Sequence, residues 1–302
     1  MRKAQFVASL GILALLAAAC GSSSKSTAGG SGSSKPSITF GAENFTENEV
    51  LAYVYSDALK AAGFSTSVRP NLGSREVIEP ALEHGDFDAT IEYVGNYLAF
   101  LDPSVGNLTV PGTVSTLRPI VAKKGLSLGA VSQAADSDAI AVTQSTASKY
   151  HLKSIADLKP YASQWSFGGP AECATRITCI PGLKQYYDVV FKSFQTLDED
   201  GPITHTALAN GSVQAARIFS SDAVIAQDHF VVLDDPKVFQ GAGNIIPVVR
   251  TTKATSQVIS VLDQVSAALT TADLVQFNLD VSVNHDDPSA VASQFVQSHH
   301  LG

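Results

Sequence analysis

The sequence predicts an α/β protein of two lobes, carried behind an export signal and a flexible tether. Three observations lead there. Short β-like apolar runs alternate with amphipathic helical stretches, the pattern of parallel sheets covered by helices. That alternation runs through one series up to Gly95 and through a second from Ile140. Beyond residue 250 come three helical patterns with no strand between them, and they need a sheet to cover.

The first residues set the compartment. Arg2 and Lys3 precede an apolar run over 6–19 that stops at Cys20, the charged-then-apolar layout of a secretory signal. A membrane helix needs roughly 20 apolar residues, so cleavage is expected and 1–19 reads as a signal peptide. Leu16-Ala17-Ala18-Ala19-Cys20 resembles a bacterial lipobox, with Ala17 where Leu is usual, which implies lipidation of Cys20. Residues 21–35 are almost wholly Gly, Ser, Thr, Ala and Lys, so 20–36 reads as a lipid-anchored flexible linker. The folded body begins near Pro36, and no second apolar run approaches membrane-spanning length.

Within the body, 38–40 reads as the first strand. Thr46 and Glu49 have capping-box spacing, and Val50, Val54, Ala58 and Ala61 recur at helical intervals up to a stop at Gly63. A second strand, 66–69, leads through Gly73 to Ser74, placed to cap the next helix. Pro80 should kink or interrupt that helix, because its ring removes an interior hydrogen bond. The third strand is 88–93, closed by Gly95. Thr46, Ser74 and Tyr93 therefore fall along the carboxyl edge of one sheet, where open α/β sheets place ligands. Later strands are expected over 140–143, 165–168, 213–219 and 231–233, and helices over 256–269, 272–281 and 288–299.

Composition narrows the chemistry. The net charge of −8 becomes about −10 once Arg2 and Lys3 leave with the signal, and no Lys/Arg cluster offers a nucleic-acid surface. Cys173 and Cys179 are the only thiols besides Cys20, and an even count in an oxidising compartment favours a disulfide closing a short loop. Two cysteines without a matching His pair do not make a zinc site, so no metal or cofactor is expected. Nucleophile-elbow, zinc-protease, Walker and dinucleotide motifs are absent in context, which argues against an enzyme.

Several segments together resemble one family. Gly41-Ala42-Glu43-Asn44-Phe45-Thr46-Glu47, Asn71-Leu72-Gly73-Ser74-Arg75-Glu76-Val77, Gly85-Asp86-Phe87-Asp88 and Glu92-Tyr93-Val94-Gly95-Asn96 are similar to signatures of substrate-binding proteins from osmoprotectant importers. Ser154 to Leu158, Glu172 to Leu183 and Phe219 to Asp222 look like its later landmarks. The resemblance implies a type II periplasmic-binding-protein fold, with lobe one at 37–133 and 246–302 and lobe two at 134–245. It places crossings near 131–137 and 242–246, around a central cleft and a two-segment hinge. It implies delivery of glycine betaine, choline, carnitine or a related solute to the permease and ATPase of an ABC importer, by an extracytoplasmic, membrane-tethered monomer. A soluble ligand-sensing lipoprotein would share the fold.

A quaternary ammonium has no hydrogen-bond donor, so aromatic faces hold it, each worth on the order of 2 kcal/mol when desolvated. The family builds a tyrosine cage; Tyr93 and Phe219 stand at two of its positions, whereas Asp138 replaces a tyrosine and another is missing near Ile180. Asp138 would then either hold a cation by charge or accept hydrogen bonds from a hydroxyl-rich or aromatic solute of another class. Asn44 and Thr46 at a strand-to-helix turn, Ser74, Arg75 and Asn96 complete the candidate ligand-binding set. Arg176, inside the expected disulfide loop, could bind an acidic ligand group or face solvent, and reads rather as solvent-facing.

Overall fold

The computed structural model describes residues 35–106 and 108–302; the expected signal peptide, Cys20 and the tether up to residue 34 lie outside them. The strands are β1 (Ser37–Gly41), β2 (Ser65–Arg69), β3 (Ala89–Tyr93), β4 (Leu126–Leu128), β5 (Asp138–Thr143), β6 (Ser166–Gly169), β7 (Ser193–Thr196), β8 (Ala215–Phe219), β9 (Phe230–Val232) and β10 (Ile245–Arg250). They form two five-stranded sheets, ordered β2-β1-β3-β10-β4 and β7-β6-β8-β5-β9.

The sheets are mixed rather than parallel, which corrects the expectation from the alternating pattern. β1 runs parallel to β2 and β3, but β10 is antiparallel to β3 and β4. In the second sheet β5 is antiparallel to β8 and β9. The reason is connectivity: β5 and β10 are the strands that enter each sheet directly from the other, so no helical crossover turns them parallel.

Each sheet is covered on both faces, and the apolar strands follow from that. Helix α1 (Thr46–Ala61) and the helices Ser256–Ala268, Thr271–Asn278 and Pro288–Ser298 bury Val54, Leu262, Phe277 and Phe295 against Phe40 and Ile91. The C-terminal helices thus return to the first sheet. On its other face, α2 (Arg75–His84), α3 (Val94–Leu101) and α4 (Val110–Lys123) pack Ile78, Tyr97 and Leu117 on Val248. The second sheet has its own two cores, around Phe167 and around Ile218.

The chain passes between the sheets twice, at 129–137 and 233–244. The two passages run side by side: Ala135 pairs with Asn244, and the Asp136 N–H donates to the Gly243 carbonyl at 2.9 Å. A Cβ at Gly243 would lie 1.9 Å from the Asp136 carbonyl oxygen, so any side chain would push the passages apart.

Local chemistry departs from expectation at four points. The Thr46–Glu49 capping box does not form; α1 starts after Phe45 without a side-chain cap, and the Glu49 N–H donates to the Phe45 carbonyl. Ser74 precedes α2 but spends its hydroxyl on Glu76 Oε2, 2.7 Å away. Pro80 leaves α2 continuous, because it lies on an exposed face where the unpaired carbonyl one turn back can be hydrated. Gly95 does not close a strand: α3 begins directly after Tyr93. Helix α4, with Pro111, Gly112 and Pro119, escapes pattern recognition because those residues read as breakers.

Candidate functional site

The carboxyl ends of β1, β2 and β3 face the end of β8 and the start of β5, and the residues of interest gather between them. Phe45, at the β1–α1 turn, is the pivot. Its ring lies 6.0 Å from Tyr93 at the end of β3 and 4.6 Å from Phe219 at the end of β8. The register places Asp138 opposite Phe219 on one face of the second sheet, with Arg217 two residues back on that face. Asp138 accepts hydrogen bonds from Arg217 Nε, at 2.8 Å, and from Nη2, and the guanidinium lies over the Phe219 ring at 3.8 Å. Tyr93, Phe45, Phe219, Arg217 and Asp138 thus form one continuous chain of contacts across the cleft.

Buried carboxylates surround it. Tyr93 donates its hydroxyl hydrogen to Glu47 Oε1 at 2.8 Å, while Ser221 at 2.6 Å and Asn278 at 3.1 Å donate to Oε2. Burial raises the Glu47 carboxyl above its ordinary range against those three hydrogen bonds. Asp136, on the first passage, is raised well above the ordinary range by burial and by the charge of Glu47; its Oδ2 has no hydrogen-bond partner among the described residues. Arg75 is fully enclosed between Glu92, with both oxygens 2.9 Å from Nε, and Glu43, at 3.3 Å from Nη2. Burial, opposed by Arg75 and reinforced by Glu92, pushes Glu43 up to about 7.

A second contact closes the cleft from the other side. Cys173 and Cys179 are joined in a disulfide with Cα atoms 5.2 Å apart, and the loop between them carries Arg176. Arg176 is not solvent-facing: its side chain is 14% exposed, and it donates to Glu76 of α2 through Nε at 3.0 Å and Nη2 at 2.7 Å. With Glu76, Asn96, Phe100 and Ile177 it lines a cavity of about 290 Å³. A smaller cavity of about 20 Å³ lies among Phe45, Thr46, Glu47, Glu199, Asp200 and Phe219. That is room for about one water molecule.

The candidate residues separate accordingly. Tyr93, Asp138 and Phe219 come together through Phe45 and Arg217. Thr46 borders the smaller cavity and accepts a hydrogen bond from Ser282; Asn96 borders the larger. Arg75 is committed to Glu43 and Glu92 and Ser74 to Glu76, while Asn44 is exposed and ties its turn to Gly73 through the backbone. Sequence reasoning missed Phe45, Glu47, Glu92, Glu199 and Arg217. A signal existed for two of them: Glu92 and Arg217 are lone charges inside apolar strands, and a buried charge must find a partner.

Residues 36–298 match the family described as the substrate binding domain of ABC-type glycine betaine transport systems. The chain belongs to this family. It is 26% identical over 313 residues to the carnitine transport binding protein OpuCC of Listeria monocytogenes, covering 98% of this chain and 97% of that one. It is 22% identical over 275 residues to a glycine-betaine-binding protein of Pseudomonas aeruginosa, covering 87% and 88%. Among solved structures, a glycine betaine/carnitine/choline ABC transporter protein matches with a TM-score of 0.69 at 20% identity, over 87% of this chain and 99% of that one. Lactococcal OpuAC, closed on glycine betaine, matches with 0.63 at 19% identity, over 88% and 97%. These likenesses show the fold expected of a two-lobed α/β solute-binding protein.

Proposed function

We propose that the protein captures a small quaternary ammonium solute of the betaine, carnitine or choline type between its two halves and delivers it to an ABC importer, without catalysis. The observation that carries this is the aromatic trio Tyr93, Phe45 and Phe219, contributed from both sides of the cleft and set among buried carboxylates. Phe45 takes the place of part of the missing tyrosine cage. The ring faces that Tyr93, Phe45 and Phe219 offer favour a cationic centre over a neutral polyol. Arg176, beside the larger cavity, is the natural partner for a solute carboxylate.

The lobes are 37–133 with 246–302, and 134–245, and the paired passages form the hinge. A solute cannot enter the small aromatic cavity unless the halves part, so binding proceeds from an open form to a closed one. Cleavage before Cys20 and lipidation there would tether the chain outside the membrane, beside the permease and ATPase. Among the described residues no single helix is long and apolar enough to cross a membrane.

Calorimetric titration tests the solute. Glycine betaine and carnitine should bind, and Arg176→Gln should weaken them by roughly tenfold, about 1.4 kcal/mol, more than it weakens choline, which has no carboxylate. Binding of polyhydroxylated compounds and none of the three ammonium solutes would overturn the assignment.

A further inference from the structure

Asp200, His205 and Asp222 form a cluster to which the proposed solute capture assigns no role, although Asp200 and Asp222 border the smaller cavity. Asp200 follows β7, His205 lies in the helix Pro202–Ala209, and Asp222 follows β8. Each carboxylate is divided between two tasks. Asp200 Oδ2 accepts the Phe219 N–H at 2.6 Å while Oδ1 lies 3.1 Å from His205 Nε2. Asp222 Oδ1 accepts the Val224 N–H at 2.9 Å while Oδ2 lies 2.7 Å from the same nitrogen. Backbone amides therefore fix both side chains, as outer partners do at metal centres. Asp222 is 9% exposed, and its Oδ2 is aimed into the cluster at His205.

We propose that Asp200 Oδ1, His205 Nε2 and Asp222 Oδ2 bind a divalent transition-metal ion, with zinc the best match. The ligand atoms of the three residues all lie within 4.8 Å of one another. Tetrahedral zinc, with bonds of about 2.0–2.1 Å, sets its ligand atoms roughly 3.3 Å apart, so the cluster needs to open only slightly. One imidazole and two carboxylates are suitable zinc donors, and a fourth position is left for water beside the cavity that Asp200 and Asp222 line. Burial alone would lower the His205 imidazolium, but the hydrogen bonds and charges of Asp200 and Asp222 raise it to about 10. The metal must displace that Nε2 proton, which leaves to the buffer. The alternative is a structural imidazolium held between two carboxylates.

Metal content decides between them, and no solute is needed. The full chain, stripped with a chelator and dialysed against zinc chloride, should retain one zinc. Asp222→Asn and His205→Gln should weaken binding by roughly 100-fold or more, since loss of even an outer partner costs 10–100-fold. His299→Gln should change nothing. A folded chain that takes up no zinc, or His205→Gln with undiminished affinity, overturns the proposal. If the variants fail to fold, cobalt(II) in the unmodified chain decides: intense tetrahedral visible bands support the site, and a weak six-coordinate spectrum contradicts it.

Discussion

Arg176 and Glu76 join opposite sides of the cleft through two parallel hydrogen bonds, 3.0 and 2.7 Å long. Burial would raise the Glu76 carboxyl, but the hydrogen bonds and charge of Arg176 override it and bring it down to about 2. Its folded value is depressed, so the pair contributes above the ordinary 4.5 and is lost as pH falls towards 2. Glu76 is 40% exposed in its side chain, so solvent screening limits the contribution to about 1 kcal/mol. Glu76→Gln should weaken solute affinity by roughly fivefold, read by calorimetry at neutral pH. Unchanged affinity would remove the pair from the closing mechanism.

Asp138 holds Arg217 in place, and Arg217 covers Phe219. Asp138→Ala leaves a buried guanidinium with Glu199, 3.2 Å away, as its remaining charged partner and should cost about 3–5 kcal/mol in denaturant unfolding. Joint replacement of Asp138 and Arg217 by apolar residues should restore much of that stability while solute binding stays impaired. If Asp138→Ala weakened solute binding without any loss of stability, Asp138 would instead be a direct solute contact.

Glu43 is pushed up to about 7, Glu79 to about 7 and Glu199 to about 8, in each case chiefly by burial. All three lie above the ordinary 4.5, so the folded chain holds protons that the unfolded chain releases. Stability from these groups is complete below about 4.5 and falls as pH rises to about 8. Melting temperature should therefore decline across that window, and Glu43→Gln should flatten the decline by up to about 1.4 kcal/mol per pH unit. A profile that rises across the window would contradict the assignment.

Phe45→Ala removes the ring that joins Tyr93 to Phe219 and should weaken binding of a quaternary ammonium by about 2 kcal/mol, roughly thirtyfold. Tyr93→Phe keeps the ring but takes a hydrogen bond from Glu47, so its effect should be smaller. Equal losses in the two variants would mean that the hydroxyl, not the ring faces, matters.

The Cys173–Cys179 bridge closes a short loop, and replacing both cysteines by serine should cost about 2 kcal/mol by the loop-entropy estimate. It should also weaken solute binding, because Arg176 is held from that loop. Full activity with a reduced bridge would make the bridge dispensable.

Most of the fold was legible in the sequence because its cue is local: strand runs and helical spacing repeat within ten residues, as in Val50, Val54 and Ala58. The site was legible where it sits at strand ends, as with Tyr93 and Phe219. It was hidden where partners are distant in the chain. Arg75 resembles a solvated first-turn arginine until β3 brings Glu92 beside it, and Arg176 resembles a loop arginine until the halves meet at Glu76. Phe45 was hidden for another reason: an aromatic after a strand reads as core, and only the fold shows that it bridges two others.

Capture between the halves is tested most directly by small-angle scattering of the chain with and without saturating glycine betaine, beside calorimetry on the same sample. A smaller radius of gyration on binding is the expected result. An unchanged profile at proven saturation, from a chain whose cleft is open without solute, would contradict closure around the solute.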